Sequence, residues 1–405
     1  MIRFEPLPSL FDSERMTYQE TIDTSIASLN AYGEAYPNWI INYSGGKDSS
    51  ALVGFVLWAV KTGQVKAPES ITVLYADTRM EQPPLHITAM KLLEAVANDG
   101  IITRIVEPPM DKRFFVYMLG RGVPPPTNIR RWCTRNLKAD PMSAVAKEIE
   151  NAGGDFLNLT GVRQGESAAR DNRISVSCSK DGGECGQGWF QQRKHSLAPL
   201  LHWRQCYIWH WLYSDQQPYK VTRDIEAVYK ADDVVDIRTG CVGCNIVDED
   251  LALKYLVRVP EWAYLKPLIE LKDLYNWLLL PAQRKRKIVP TVKADGTLRD
   301  SSGVLGPLTM PARQVALSML LDIQVRANYT LVTDDEQQYI RKLWEADTWP
   351  KGWSADDVNG SEAFDKVHVM IDGSQIIEPL LLVDDKYPQS NPRHRDDSGR
   401  VAGSE

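Results

Sequence analysis

The first half of the chain alternates between short apolar runs and longer stretches in which apolar residues recur with helical spacing. The apolar runs predict strands at 39–43, 71–76, 101–106 and 157–162, and the helical stretches predict helices at 17–36, from 48 onward and at 83–97. Strands that alternate with helices at this spacing indicate a parallel sheet covered by helices on both faces. We therefore predict an α/β fold with a doubly wound parallel sheet.

Helical periodicity dominates the second half of the chain, from about residue 249 to residue 347, and predicts a smaller C-terminal helical unit. From residue 382 onward the sequence is polar and rich in turn formers, which is typical of a disordered tail. We expect four segments, which are an N-terminal helical lead-in at 1–36, a sheet domain at 37–248, a mainly helical unit at 249–381 and the tail at 382–405.

The composition is that of an ordinary soluble protein, with 43% hydrophobic and 25% charged residues in a chain of 405. No apolar run approaches the roughly 18 residues of a membrane span, and the first residues lack the order of a secretion signal. We therefore expect a cytoplasmic protein without membrane partners. The net charge of -6 argues against a uniformly basic nucleic-acid surface but leaves a local basic groove open.

A polar, glycine-containing loop follows the first predicted strand and has the sequence SGGKDSS. Its first six residues are Ser44, Gly45, Gly46, Lys47, Asp48 and Ser49. The two glycines leave room for backbone N–H groups to approach phosphate oxygens, and the next helix presents its positive N-terminal end. The lysine adds a charge, while the aspartate and the following serine can cap the helix or help hold Mg²⁺. The loop therefore predicts phosphate binding, although it lacks the GxxxxGK[ST] spacing of the common NTPase loop.

Two further polar segments follow predicted strands, and the carboxyl ends of parallel strands share one edge of a sheet. Asp77 and Thr78 follow the second strand, and Arg163 follows the strand at 157–162. We expect them to share a crevice with the glycine-containing loop. In the GVRQGESAAR segment, Glu166 and Arg170 either belong to the site or form a surface pair one helical turn apart.

Six cysteines in a reducing compartment favour metal or sulfur chemistry over disulfides. Cys133 lies among arginines and lysines in RWCTRNLK, so we expect neighbouring positive charge to favour its thiolate. Cys241 and Cys244 form a CxxC turn, whose spacing lets both sulfurs meet one metal ion or cluster. A zinc half-site, a redox pair and a chance occurrence remain alternatives for the CxxC turn.

The segments SGGKDSS and YADTRMEQP together resemble the PP-loop family of adenine-nucleotide alpha hydrolases. Members of that family hold the pyrophosphate end of ATP and cleave between its alpha and beta phosphates. The resemblance implies that residues 44–49 bind pyrophosphate and that Asp77 and Thr78 lie near the adenosine. It also implies that Lys47, Asp48 and Arg163, together with Mg²⁺, serve catalysis by stabilising the leaving pyrophosphate.

Within the PP-loop group, sulfonucleotide reductases that carry an iron-sulfur cluster use a Cys-Cys pair before a basic segment and a later CxxC. Trp132 occupies the first position of that pair here, so Cys133, Cys241 and Cys244 match. The resemblance implies a 4Fe-4S cluster with three or four cysteine ligands, and Cys133 is also a catalytic candidate. Either Cys206 or a cysteine of the loop containing residues 178 and 185 is the fourth ligand, or the fourth iron is open and carries a sulfide, as in PP-loop tRNA thiolases.

A longer series of motifs, from about residue 39 to residue 343, resembles the DndC type of PP-loop protein and its SspD relatives. The motifs are SGGKDSS, YADTRMEQP, RWCTRNLK, GVRQGES, PLLHWRQCYIWHWL, TGCVGCNIVDED and GPLTMPARQVALSMLLDIQ. This resemblance implies an ATP-dependent sulfurtransferase that adenylates a DNA backbone phosphate, so that sulfur replaces a non-bridging oxygen and AMP and pyrophosphate are released. A cysteine desulfurase and other DNA phosphorothioation proteins would be its partners.

Two other functions are compatible with these motifs. A phosphoadenosine or adenosine phosphosulfate reductase would place a sulfated nucleotide in the crevice, and GGECGQGW resembles the segment that carries its nucleophilic cysteine, although that segment lies in mid-chain here. A non-catalytic adaptor would bind nucleotide and partners without releasing pyrophosphate.

Two clusters of residues have both a binding and a structural interpretation. Lys285 and its basic neighbours either contact phosphates or form a solvated charge run, and the solvated run is favoured. Trp203, Trp209 and Trp211 either stack a base or pack in the core, and core packing is favoured.

Overall fold

The structure is a computed structural model of the 405-residue chain. It describes residues 16–152, 154–166, 171–172, 174, 188–191, 194–229, 240–288, 290–292, 296–299, 303–363 and 365–378. The predicted tail at 382–405 lies outside the described residues, as do Arg170, Cys178 and Cys185.

The centre of the fold is a parallel sheet of five strands in the order β3-β2-β1-β4-β5. The strands are β1 Asn38–Tyr43, β2 Ser70–Ala76, β3 Ile102–Val106, β4 Phe156–Leu159 and β5 Ser196–Leu197. Strand β1 lies between β2 and β4, so the strand order reverses there and opens a crevice at its carboxyl end. The predicted α/β fold with a doubly wound parallel sheet is confirmed.

The helices that accompany this sheet include the three that the sequence pattern predicted. They are α1 Tyr18–Gly33, α2 Lys47–Lys61, α3 Pro83–Asn98, α4 Trp132–Thr134, α5 Asp140–Asn151, α6 Gln205–Tyr213 and α7 Thr222–Tyr229. A capping box at Thr17 and Glu20 starts α1, and a π-helical turn at Arg135–Ala139 joins α4 to α5. The predicted strand at 157–162 ends earlier than expected, at Leu159, because the chain then turns toward the start of α2.

The C-terminal part contains helices and short antiparallel sheets. Its helices are α8 Leu251–Leu256, α9 Leu271–Leu278, α10 Met310–Arg326 and α11 Asp334–Glu345, with 3-10 segments at Pro260–Glu270 and Pro281–Gln283. Earlier in the chain, a 3-10 turn at Met110–Lys112 and a π turn at Val116–Gly120 follow β3. Its strands are β6 Arg284–Arg286, β7 Thr291–Val292, β8 Leu298–Arg299, β9 Leu305–Leu308, β10 Val358–Asn359, β11 Lys366–Val369 and β12 Gln375–Glu378. They pair as β10-β6-β9, β7-β8 and β11-β12, so this part is less purely helical than expected.

Apolar side chains gather in two large cores. The first joins one face of the sheet to α2, α3 and α6, while α5 covers the opposite face through Val145 against Ile40 and Leu74. The second core combines the C-terminal helices with a segment from the sheet domain, including Leu119 and Leu137. The sequence divided the chain at residue 248, but this core draws side chains from both sides of that boundary.

None of the described helices is both long enough and apolar enough to cross a lipid bilayer.

Candidate functional site

The loop after β1 has the geometry of an anion-binding turn. Gly45 has a φ of 79°, a left-handed conformation that glycine adopts without a Cβ penalty. The Ser44 N–H donates to the Ser49 hydroxyl at 3.2 Å, and this hydroxyl donates to the Gly46 carbonyl at 3.0 Å. These bonds fold the loop back on the first turn of α2, whose N-terminal N–H groups then point toward the crevice.

The segment after β4 lies directly against the start of α2. A Cβ on Gly161 would lie 3.2 Å from the carbonyl carbon of Asp48 and 3.2 Å from the Ser49 nitrogen, so only glycine allows this approach without displacement. Arg163, which is 5% exposed, donates its Nε–H to the Asp48 carboxylate and an Nη1–H to the Trp203 carbonyl at 3.3 Å. The carboxylate also lies 3.6 Å from the Lys47 ammonium. The three predicted catalytic charges therefore form one connected group behind the loop.

A tyrosine that the sequence did not single out lies over the same loop. The Tyr229 hydroxyl accepts a hydrogen bond from the Lys47 main-chain N–H at 3.2 Å, and its ring centre is 4.6 Å from the Lys47 ammonium. A Cβ on Gly46 would come within 2.9 Å of the same hydroxyl. Tyr229 therefore occupies the space next to the loop in which a phosphate oxygen would be expected.

A cavity of about 310 Å³ opens at the carboxyl ends of β1 and β4. Its lining comprises Asn42, Ser44, Gly46, Asp48, Ser49, Glu81, Leu85, Lys138, Thr160, Gly161, Val162, Glu166, Tyr229, Gly240 and Cys241. The glycine-containing loop and the first cysteine of the CxxC turn thus face one cavity. Four of the predicted loop residues line the cavity, namely Ser44, Gly46, Asp48 and Ser49. Gly45 forms the turn, and Lys47 is not part of the cavity lining.

The residues expected near an adenosine lie beside this cavity. Thr78 is buried, and its hydroxyl donates to the two carboxylate oxygens of Glu81 at 2.7 and 2.8 Å. Asp77 lines a neighbouring cavity of about 160 Å³ with Glu81, His86 and Tyr329. Asp77 therefore lies at the edge of the site, and the Thr78 hydroxyl fixes the position of the Glu81 carboxylate.

The CxxC turn is fastened to the segment that follows β2. Cys241 pairs with Glu81 in an antiparallel bridge, and the Val242 N–H donates to the Met80 carbonyl at 2.6 Å. Gly243 has a φ of 61°, and its N–H donates to the Asp250 carboxylate at 3.1 Å. Backbone contacts thus fix the turn between the sheet domain and the start of α8.

Three of the four predicted metal ligands come together at this turn. Cys133 and Cys241 pack against the second core, and Cys133, Cys241 and Cys244 all lie within electrostatic range of one another. Burial raises the pKa of Cys241 to about 12, even though the nearby Lys138 ammonium opposes this shift. Burial disfavours the charged form of Lys138 as well, but the negative charges of Cys241 and Glu81 outweigh it and raise the Lys138 pKa.

The expectation that positive charge favours the Cys133 thiolate is wrong for the metal-free protein. Burial raises the pKa of Cys133, because the thiol loses contact with water. The neighbouring arginines at 130, 131 and 135 are exposed and face solvent, where their charges are screened. The effect of burial on the Cys133 pKa therefore outweighs that of the neighbouring positive charges.

Cys206 does not join the other three cysteines. It is exposed on α6, a helix that packs into the first core, whereas Cys133 and Cys241 pack against the second. Among the described residues, no three or more His, Cys, Asp or Glu side chains are arranged as a formed metal site. The donor chemistry still fits a sulfur-ligated centre with three protein ligands, because three free thiols share one partly buried region with a cation.

The basic segment RKRK has a role that neither sequence interpretation described. Lys285 donates to the carbonyls of Ala355 and Asp357 at 2.7 and 2.6 Å, and Arg284 donates to those of Leu305 and Gly306 at 2.7 and 2.9 Å. These hydrogen bonds hold the loops around β6 in place.

The comparison with protein families identifies the part of the chain that carries this site. Residues 38–224 match the family model of the phosphoadenosine phosphosulfate (PAPS) reductase domain. This segment is similar to a PAPS reductase domain. It contains the anion-binding loop, Arg163 and Cys133, while the CxxC turn lies just beyond it.

Two individual proteins illustrate the range of the similarity. An uncharacterized protein of Methanocaldococcus jannaschii is 23% identical over 227 residues, which cover 55% of this chain and 48% of that relative. The chain therefore matches about half the length of this relative. The crystal structure of a PAPS reductase from Candida auris in a phosphate complex has 12% identity and a TM-score of 0.34, covering 56% of this chain and 96% of that one.

The ion pair between Lys138 and Glu81 became visible only in the fold. Lys138 and Glu81 form an ion pair at 3.6 Å on the wall between the loop and the cysteines. The position of Glu81 three residues after Thr78 was a usable signal, because a hydroxyl and a carboxylate at that spacing can bond within one turn. Trp203 and Trp211 are buried in the first core and Trp209 packs against it, as the core interpretation predicted.

Proposed function

We propose that the protein is an ATP pyrophosphatase and sulfurtransferase that adenylates an acceptor oxygen and releases AMP and pyrophosphate. The observation that carries this proposal is the shared cavity, since the anion-binding loop and Cys241 both line one space of about 310 Å³. A nucleotide with its beta and gamma phosphates on the loop would direct its alpha phosphate along the wall toward the CxxC turn. Activation and sulfur transfer would then occur at neighbouring positions.

The charges around the loop suit pyrophosphate as a leaving group. Negative charge grows on the beta phosphate as its bond to the alpha phosphate breaks, and fixed donors stabilise that charge without reorganisation. The N–H groups of α2 supply such donors, while Lys47 supplies a cation. Arg163 is bound to Asp48 and so holds the first turn of α2 in place. Mg²⁺ would enter with ATP, bound to its phosphates.

The acceptor that we propose is a DNA backbone phosphate, whose non-bridging oxygen is replaced by sulfur after activation. Arg130 and Arg131 support this acceptor, because they are exposed and immediately precede the helix that carries Cys133. Exposed arginines next to a reactive centre can position a phosphate backbone through charge. A cysteine desulfurase would provide the sulfur, together with other proteins of DNA phosphorothioation.

The three converging cysteines would hold an iron-sulfur cluster in this proposal. Cys133, Cys241 and Cys244 supply three thiolate ligands, which leaves one iron available to a non-protein ligand. When bound, such a cluster supplies a place for sulfur at the end of the cavity. Lys138 would compensate part of the negative charge of the thiolates, since it already interacts with Cys241 and Cys133.

Product analysis tests the proposed reaction directly. The protein, purified without oxygen, is incubated with ATP labelled in the alpha phosphate, Mg²⁺, duplex DNA, a desulfurase with cysteine, and a thiol reductant that supplies the two electrons needed to release the persulfide sulfur. We expect labelled AMP and pyrophosphate in equal amounts, together with nuclease-resistant phosphorothioate linkages in the DNA. ADP as the sole nucleotide product would overturn the proposal, and Lys47→Ala serves as the inactive control.

A phosphosulfate reductase is the second candidate, favoured by the description of the matching family. It would reduce a sulfated adenosine nucleotide to sulfite and would not release pyrophosphate from ATP. Incubation with adenosine phosphosulfate or phosphoadenosine phosphosulfate and a thiol reductant distinguishes the two functions. Sulfite formation without ATP consumption would favour the reductase.

A further inference from the structure

Helix α9 packs directly on the CxxC turn. A Cβ on Gly243 would lie 2.8 Å from the Cβ of Leu271, so the turn and the first residue of α9 are in close contact. Gly243 lies between the two cysteines in sequence, and its left-handed φ keeps their backbone in a tight turn. The C-terminal helix thus forms one wall around the sulfur atoms.

Tyr275 lies one helical turn after Leu271 on the same face of α9. Residues four apart are neighbours on a helix surface, so the Tyr275 ring follows Leu271 toward the cysteines. The side chain is fully buried in the second core, against which Cys133 and Cys241 also pack. Its ring centre lies 5.9 Å from that of Phe114, which fixes the ring in place.

The Tyr275 hydroxyl is buried but has no hydrogen-bond partner among the described residues. An unpaired hydroxyl in an apolar core is destabilising, so such a group is expected to have a partner in the functional state. The pKa of Tyr275 lies well above its ordinary value, first because of burial and then because of the nearby Cys244, Cys241 and Asp250. Metal binding deprotonates a thiol, and a thiolate close to an O–H group favours donation by the hydroxyl.

The carboxylate of Asp250 is a less suitable partner than a sulfur. It already accepts the N–H groups of Gly243 at 3.1 Å and of Leu253 at 3.0 Å. The cysteine sulfurs also lie near the tyrosine, and a thiolate is a better acceptor than a thiol. A metal-bound thiolate keeps negative charge and so remains available to this donor.

We propose that the Tyr275 hydroxyl donates a hydrogen bond to a sulfur of the set Cys133, Cys241 and Cys244, and that Tyr275 is a positioning residue of the sulfur centre. The inference rests on the proposed function for the role of these cysteines. It assigns to the C-terminal part of the chain a direct contribution to the site, by tuning how strongly a sulfur donates electrons to a bound metal. No bond is formed or broken by the tyrosine.

The test compares Tyr275→Phe with the wild-type chain, using Co²⁺ alone as a spectroscopic probe in reduced, oxygen-free protein. A hydrogen bond to a thiolate lowers the energy of its electrons, so its removal shifts the sulfur-to-cobalt charge-transfer band to longer wavelength. The matched control is Tyr219→Phe, which removes a buried hydroxyl bonded to Asp99 and belongs to the first core.

The outcomes separate this inference from the proposed function. A band shift in Tyr275→Phe that is absent from Tyr219→Phe supports the hydrogen bond. If the wild-type chain gives a charge-transfer band and Tyr275→Phe leaves it unchanged, the inference is overturned while the metal centre stands. If the wild-type chain gives no such band, the metal centre of the proposed function fails and the inference fails with it.

Discussion

The main-chain N–H of Lys47 donates a hydrogen bond to the Tyr229 hydroxyl 3.2 Å away, at the end of α2 that faces the cavity. Helix N-termini of this kind bind phosphate oxygens through the same N–H groups. A phosphate on the loop must therefore compete with the hydroxyl, which links occupancy of the loop to the position of α7.

Replacement of Tyr229 by Phe removes this competitor while keeping the ring under the Lys47 ammonium. One hydrogen bond contributes about 1 kcal/mol net, so we expect binding of a non-hydrolysable ATP analogue to strengthen by roughly fivefold. Isothermal titration calorimetry measures the change, with Tyr219→Phe as the matched control. Weaker binding in Tyr229→Phe would mean that the hydroxyl contacts the nucleotide instead.

Replacement of Arg163 by Ala leaves the partly buried Asp48 carboxylate without its principal partner. Removal of one member of a buried ion pair typically costs about 3–5 kcal/mol, so the free energy of unfolding in urea should fall by about that amount. The double variant Asp48→Asn with Arg163→Gln removes both charges and should recover part of the loss. Equal losses in the single and double variants would refute this coupling.

The raised pKa of Cys241 predicts slow alkylation of this thiol in the metal-free protein. Its pKa of about 12 exceeds the ordinary thiol value, so the folded state retains the proton as the pH rises. The contribution of this protonated thiol to the free energy of unfolding is fully present below the ordinary thiol pKa and is lost as the pH rises toward 12. Mass spectrometry after iodoacetamide treatment should find exposed Cys206 modified well before Cys241 at pH 8 to 9, and the reverse order would contradict the buried position of Cys241.

The two basic segments should differ in their effects on DNA binding. We expect Arg130→Ala and Arg131→Ala each to reduce the slope of log affinity against log salt by about 1, because each removes an exposed charge that can contact a phosphate. Lys285→Ala is the control, since its ammonium bonds two backbone carbonyls. We expect that variant to lower the melting temperature and to leave the salt slope unchanged. Fluorescence anisotropy with labelled duplex DNA at several salt concentrations measures the slopes.

The parts of the site that depend on local sequence were predictable. Two glycines at the end of a short apolar run determine the turn before α2, because Gly45 must adopt a positive φ. Strand and helix periods located β1, β2, β3 and the helices between them to within one or two residues. The meeting of Asp48 and Arg163 followed from the rule that loops at the carboxyl ends of parallel strands share an edge.

Features that depend on packing were not predictable from local patterns. The charge around Cys133 suggested a stable thiolate, but only the fold shows that the thiol is buried and that the neighbouring arginines face solvent. Tyr229 and Tyr275 lie in ordinary helical stretches, where nothing distinguishes a tyrosine in the core from one beside a ligand. The Lys285 ammonium donates to the backbone carbonyls of Ala355 and Asp357, about 70 residues away in sequence. No short sequence motif predicts such a distant contact.

The second core can form only after the C-terminal helices that contribute to it have been synthesised. A nascent chain that has reached residue 229 already contains the strands, the phosphate loop and Tyr229, whereas the walls around Cys133 and Cys241 await α9. A chain that stopped before Leu271 would carry a nucleotide crevice beside thiols without their apolar cover. The C-terminal helices therefore leave the thiols without their apolar cover until these helices have been translated, and couple the protection of the thiols from oxidants to the synthesis of this part of the chain.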